Sequence, residues 1–91
     1  MNALRRKQLQ AILDQIENLK SEIDSVSSDL ETLKDEEVEY FNNIPENFQS
    51  SERYERAETS SSALEEAYDN LYDMISQLEE VASSIEEAID A

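Results

Sequence analysis

Residues 9–33 read LQAILDQIENLKSEIDSVSSDLETL, and apolar residues recur in this stretch at alternating steps of three and four. Such alternation keeps one apolar seam on a slightly underwound α-helix. The stretch therefore predicts a long heptad-bearing helix. The series comprises Leu9, Ile12, Ile16, Leu19, Ile23, Val26, Leu30 and Leu33, and continues with Glu37 and Tyr40.

A second series of the same kind follows the only proline, Pro45. It comprises Tyr54, Ala57, Ser61, Leu64, Tyr68, Leu71, Ile75, Leu78, Ala82, Ile85 and Ile89. Two antiparallel helices joined by a turn place opposed seam residues at positions with a constant sum. Here that sum is 94, which pairs Tyr40 with Tyr54, Leu33 with Ser61 and Ile23 with Leu71. The two series predict an all-α fold, an antiparallel helical hairpin of two long heptad-bearing helices.

The predicted organisation is one helical-hairpin domain over residues 1–91. Helix 1 covers about 2–41, a connector covers 42–51, and helix 2 covers about 52–90. Helix 1 must end before Pro45, because the proline ring moves Ile44 out of the helical region. Ser50 or Ser51 is the expected N-cap of helix 2. Residues 58–62 have low helix propensity, so an alternative with three helices, near 46–58 and 62–90 after the first, stays open.

Composition excludes several classes of site. The chain has no cysteine and no histidine, which removes disulfides, thiol catalysis, soft metal sites and the usual general base. No catalytic, cofactor-binding or metal-binding constellation is present in the sequence, so we do not expect an enzyme. The N-terminal residues do not form the apolar core of a signal peptide, and no run is long enough to cross a bilayer. A cytoplasmic location is the expectation.

The charge is large and uneven, with a net value of −16. Residues 57–91 contain ten acidic residues and no basic one. Like charges repel, which disfavours nucleic acid and anionic membranes as ligands and favours a basic protein partner. On a rod of about 60 Å the charge density approaches half that of duplex DNA, and a dimer would come close to the DNA value. The candidate partner-binding acids are Glu65, Glu66, Asp69, Asp73, Glu79 and Glu80, with Glu86 and Glu87 continuing the series. A solubilising surface is the alternative interpretation.

Two charged contacts are expected between the helices. At the open end, Arg5, Arg6 and Lys7 lie opposite the C-terminal turn of helix 2, whose dipole they would neutralise. Near the turn, Glu37 occupies a seam position within reach of Arg53 or Arg56. A polar residue in a seam commonly fixes the alignment of two helices.

Helix 2 carries a further apolar series beside its seam, at Ala67, Met74, Val81 and Ala88. Leu13, Val38, Phe41 and Tyr72 lie outside the two seams as well. A stripe this wide is typical of bundles with more than two helices. We therefore predict a homodimer that forms a four-helix bundle, with Met74 and Val81 at the interface. A helix of another protein, or a loosely packed monomer, are the alternatives.

Aromatic and apolar residues gather around the predicted turn: Tyr40, Phe41, Ile44, Phe48 and Tyr54. Such a group most often closes the tip of a hairpin as a small core. Aromatic side chains on loops also serve as anchors for partners, which makes Phe48 a candidate partner-binding residue.

The connector Asn43-Ile44-Pro45-Glu46-Asn47-Phe48-Gln49-Ser50-Ser51-Glu52-Arg53-Tyr54-Glu55, together with Ala63-Leu64-Glu65-Glu66-Ala67 and Ile85-Glu86-Glu87-Ala88-Ile89, resembles short acidic proteins of bacteriophages and their bacterial hosts. The resemblance covers about half of the chain. It implies no activity and no functional residue, but it favours a phage accessory role in the host cytoplasm. The first hypothesis is thus an acidic helical interaction module that binds a basic host protein as a nucleic-acid mimic. The alternative is a structural or assembly coiled coil whose acidity confers only solubility.

Overall fold

The computed structural model describes residues 1–91 as two long antiparallel helices joined by a short connector. Helix α1 spans Ala3–Asn42 and helix α2 spans Glu52–Asp90, and a single 3₁₀ turn, Glu46–Phe48, lies between them. The hairpin is a thin rod whose Cα atoms extend over 69 × 16 × 14 Å. The prediction of an all-α helical hairpin is confirmed.

Both helices begin at the residue types that favour a helix start. The side chain of Asn2 accepts a hydrogen bond from the Arg5 backbone N–H at 2.7 Å, and that of Ser51 accepts one from the Tyr54 N–H at 3.2 Å. These caps satisfy amide groups that have no partner inside the helix. Helix α2 is continuous through Ser60, Ser61 and Ser62, so the alternative with a break there is wrong. The Ser61 hydroxyl donates a hydrogen bond to the backbone carbonyl of Glu58 at 3.1 Å, and the Ser60 hydroxyl donates across the hairpin to α1.

The seam of α2 agrees with the prediction, since every residue of its series from Tyr54 to Ile89 is buried or half-buried. The seam of α1 agrees only in part. Leu9, Ile16, Ile23, Leu30 and Glu37 do face α2, but the second column of the seam lies one residue later than predicted. Residues turned toward α2 there are Leu13, Lys20, Ser27, Lys34 and Phe41. The prediction placed Ile12, Leu19, Val26, Leu33 and Tyr40 in this column, but the structure exposes them.

This rotation of α1 changes individual pairs but leaves the lengthwise register almost intact. Phe41, rather than Tyr40, packs on Tyr54, with ring centroids 5.0 Å apart. Leu33 is 58% exposed instead of covering the buried Ser61. The largest buried cluster joins Leu13 and Ile16 to Ala82, within one residue of the predicted register.

The charged contacts are also partly as predicted. Arg6 donates to the carbonyl oxygens of Ile89 at 3.1 Å and Ala91 at 3.4 Å, which ties the open end together. Glu37, however, does not pair with Arg53 or Arg56. It accepts a hydrogen bond from the Ser60 hydroxyl at 2.6 Å, although both arginines line the same depression as Glu37. Arg53 bonds the Tyr40 hydroxyl, and Arg56 pairs with Glu52 at 2.6 Å.

Candidate interaction surfaces

The hairpin has two different faces, and the heptad positions decide which residues lie on each. We assign position 0 to the seam residues Leu9, Ile16, Ile23 and Leu30 of α1 and Ala57, Leu64, Leu71 and Leu78 of α2. A column is the set of residues that have the same position in successive heptads of one helix. A residue advances about 100° around an α-helix, so position +3 falls on one side of the seam and position +1 on the other. Antiparallel helices are related by a two-fold axis perpendicular to the plane of the pair. Equivalent positions of α1 and α2 therefore share a face.

Surface depressions between the helices agree with this assignment. Tyr40 and Ser60, each at position +3, line one depression together. Glu31 and Tyr72, each at position +1, line another. The two sides of the hairpin can therefore be described separately.

We define the acidic face by the +1 columns. It comprises Glu17, Asp24 and Glu31 of α1 and Glu58, Glu65, Tyr72, Glu79 and Glu86 of α2. We define the apolar face by the +3 columns. It comprises Ile12, Leu19, Val26, Leu33 and Tyr40 of α1 and Ala67, Met74, Val81 and Ala88 of α2.

The acidic candidates from the sequence are all exposed, but they do not form one cluster. Glu65 and Glu79 belong to the acidic face, and Asp69 lies at its outer edge. Glu66, Asp73 and Glu80 point outward on the side of α2 opposite its seam, at position +2. The acids thus wrap around α2 from the acidic face to its back, as a charged surface and not a pocket. In the structure, no group of three or more acidic side chains converges in a way that could hold a metal ion.

Few of the carboxylates are neutralised. The structure contains three ion pairs, Lys20 with Glu79 at 3.1 Å, Lys34 with Asp35 at 3.1 Å, and Arg56 with Glu52 at 2.6 Å, against 23 acidic side chains. Lys20 and Lys34 lie in the seam with their stems along α2 and their amines at its edge. The hydrogen bond to Glu79, with its negative charge, raises the pKa of Lys20. Lys34 likewise has a raised pKa because it donates to Asp35.

Sequence reasoning missed a groove on the acidic face. Tyr72 is the most exposed large apolar side chain there, at 67%, and it lies beside Asp24, Glu31 and Glu79. Tyr68 donates to Glu31 at 2.5 Å, and this hydrogen bond raises the pKa of the phenol. The Lys34 amine lies 4.8 Å from the centre of the Tyr68 ring. Tyr68 and Tyr72 are one helical turn apart and lie across from Asp24 and Glu31 in the register, but this spacing indicates a groove only once the rotation of α1 is known.

The other candidates lie elsewhere. Met74 and Val81 are exposed on the apolar face, and Phe48 is 54% exposed at the tip. The tip is closed instead by Ile44, which is 7% exposed, and by the packed rings of Phe41 and Tyr54. Phe48 covers the tip only in part, at the edge of a depression that it lines with Tyr40, Ile44 and Arg53.

Comparisons with known proteins add no relative: no protein-family model, no curated protein and no solved structure matches this chain. Neither helix combines the length and the apolar character required to cross a membrane.

Proposed function

We propose that the chain is a non-enzymatic helical interaction module that binds a basic protein through its acidic face. The observation that carries the proposal is the groove in which the exposed Tyr72 lies among Asp24, Glu31 and Glu79. Carboxylates bind arginine and lysine side chains, and a tyrosine ring next to them adds a surface on which a cation can stack. The groove therefore has the chemistry for a basic side chain.

The length of the charged surface favours one class of basic partner. Carboxylates recur along α2 from Glu58 to Glu86 on the acidic face, over about 40 Å. A protein with a cleft for duplex or single-stranded nucleic acid presents basic residues over a comparable length. We propose nucleic-acid mimicry toward such a cleft as the mode of binding. A phage accessory role in a bacterial host is part of this proposal and has support only from the resemblance of the connector.

An assembly role is a second candidate, and the exposed apolar face favours it. A coiled-coil assembly protein needs an apolar helix face for its neighbours, and its acidity would then confer only solubility. The two candidate functions make different predictions about the acids. Partner binding depends on where the acids lie, whereas solubility depends only on how many there are.

A pair of variants with equal net charge separates these candidates. The first, Glu65→Gln with Asp69→Asn and Glu86→Gln, removes three charges from the acidic face and its outer edge. The control, Glu22→Gln with Asp29→Asn and Glu36→Gln, removes the same charge from the outer edge of α1 beside the apolar face. Binding of a fluorescent oligo-arginine peptide, measured by anisotropy, should weaken about tenfold in the first variant and by less than about twofold in the control.

Tyr72→Ala should weaken binding further, with unchanged helix content by circular dichroism. Host proteins captured on the immobilised chain should be released by high salt and displaced by duplex DNA. Equal weakening in the two charge variants would contradict a binding site on the acidic face. Captured proteins that duplex DNA does not displace would contradict mimicry.

A further inference from the structure

The apolar face is unusual because it breaks the ordinary pattern of burial in α1. The column turned toward α2 contains Lys20, Ser27 and Lys34, whereas the neighbouring column of Ile12, Leu19, Val26 and Leu33 faces solvent. Apolar side chains gain free energy when they leave water, and polar ones lose it unless they are paired. An isolated hairpin therefore buries the less apolar of the two columns of α1.

Positions 0 and +3 of both helices together form the core pattern of a four-helix bundle. In α1 these are the alternating residues from Leu9 to Tyr40, and in α2 they include Leu64, Ala67, Leu71, Met74, Leu78 and Val81. A helix in such a bundle has two neighbours, so its apolar stripe is wider than that of a two-helix seam. The +4 columns then lie beside this core, between the two helices of each hairpin. Lys20 and Lys34 can occupy such positions because their amines reach solvent.

The apolar face also lacks the charge of the rest of the molecule. Counted with its outer edges at position +6, it carries three basic and three acidic side chains, while the chain as a whole carries −16. The basic residues are Arg5, Arg53 and Arg56, and the acidic ones are Glu22, Asp29 and Glu36. A neutral apolar face on a strongly acidic protein is the one side on which two copies can approach without strong repulsion.

We infer that the apolar face binds a second copy of this chain, face to face, with the two hairpin tips at the same end of a four-helix bundle. The inference concerns the side opposite the acidic face and does not depend on the proposed function. The contact would cover about 42 Å from Ile12 to Tyr40 and the 16 Å width of the hairpin. That is about 1,300 Å² in total, which is enough for a specific protein interface.

Size complementarity supports the orientation with both tips at one end. There, α1 of one copy lies on α2 of the other at the same height, and the +3 columns meet at positions that sum to 93. Large residues of α1 then face smaller or more flexible ones of the second copy. The facing pairs are Leu33 with Ser60, Val26 with Ala67, Leu19 with Met74, and Ile12 with Val81.

Charge supports the same orientation. With the tips together, Glu36 faces Arg56 of the second copy, and Asp29 and Glu22 face the uncharged Ala63 and Asn70. With the tips at opposite ends, α1 would lie on α1, and the two acidic edges would meet. Like charges across an interface disfavour a complex, so the orientation with the tips together is preferred.

Sedimentation equilibrium with one matched pair of variants tests the interface. The native chain should sediment with twice its mass of 10.5 kDa. Leu19→Glu should weaken the dimer at least about tenfold, whereas Ser25→Glu, which adds the same charge on the outer side of α1, should change it less than about twofold. Leu33→Glu provides a second interface variant, and circular dichroism verifies that each variant stays helical.

A monomer at all concentrations, a larger assembly, or equal effects of Leu19→Glu and Ser25→Glu would overturn the inference. Salt separates this association from binding at the acidic face. Screening should strengthen a dimer of two acidic chains and weaken the binding of a basic partner.

The orientation is measured with a spin label on Asn47→Cys at the tip, since the chain has no other cysteine. Tips at the same end predict a distance between labels of about 30 Å or less, given helix spacings of 8–10 Å. A distance approaching the 69 Å length of the hairpin would overturn the orientation.

Discussion

Leu13→Ala should lower the free energy of unfolding of the hairpin by about 2–4 kcal/mol, whereas Ile12→Ala should lower it by less than about 1 kcal/mol. The two residues are neighbours of the same size, but Leu13 is 7% exposed in the cluster with Ile16 and Ala82, and Ile12 is 46% exposed. Removal of the Leu13 side chain leaves a gap against α2. Removal of the Ile12 side chain leaves none in a single hairpin.

The measurement is urea denaturation followed by circular dichroism, at a protein concentration low enough for the monomer to prevail. At higher concentration the loss caused by Ile12→Ala should grow, because a second copy would then cover that residue. A larger loss for Ile12→Ala than for Leu13→Ala in the dilute protein would mean that α1 is rotated about its axis relative to the structure.

At the tip, Ile44→Ala should lower the free energy of unfolding by about 2–3 kcal/mol, and Phe48→Ala should change it by less than about 1 kcal/mol. Ile44 is 7% exposed, whereas Phe48 is 54% exposed. Loss of Ile44 would remove the apolar contact that holds the connector against the helix ends.

Thermal melting of the two variants in parallel provides the comparison. If Phe48→Ala leaves the melting temperature unchanged but reduces binding to the proposed basic partner, Phe48 acts in recognition. A large drop in melting temperature for Phe48→Ala would show that the tip closes around this residue after all, contrary to its exposure in the structure.

Much of the fold follows from local signals in the sequence. Pro45 and the capping residues Asn2 and Ser51 determine where the helices begin and end, and both helix bounds lie within one residue of those predicted. The lengthwise register follows from the constant sum of the seam positions. These features are local or depend on a simple count, so one sequence suffices to find them.

The rotation of α1 could not be predicted in the same way. The residues at position 0 belong to the seam in either rotation, and the choice between Ile12 and Leu13 as their companions depends on what surrounds the helix. The hydrophobic pattern reflects the contacts of α1 with all of its partners, and it predicts that Ile12, Leu19, Val26 and Leu33 are buried. Within one hairpin, however, α2 packs against the column of Leu13, because its own +4 residues, such as Ile75 and Ile89, are large and apolar.

The groove beside Tyr72 could be predicted only once this rotation was known. Its acids on α1, Asp24 and Glu31, share a face with Tyr72 because all three lie at position +1. The total charge predicts a basic partner from the sequence, but the location of the proposed recognition site on one side of the hairpin depends on the packing.

Cysteine reactivity at position 33 tests most directly whether the apolar column of α1 faces away from α2 and is covered by a second copy. The Leu33→Cys variant should react rapidly with a maleimide in dilute protein and at least about tenfold more slowly in concentrated protein, while Ser25→Cys should react rapidly at both concentrations. Slow labelling of Leu33→Cys even in the dilute protein would contradict the packing of the hairpin. Rapid labelling at every concentration would contradict the dimer.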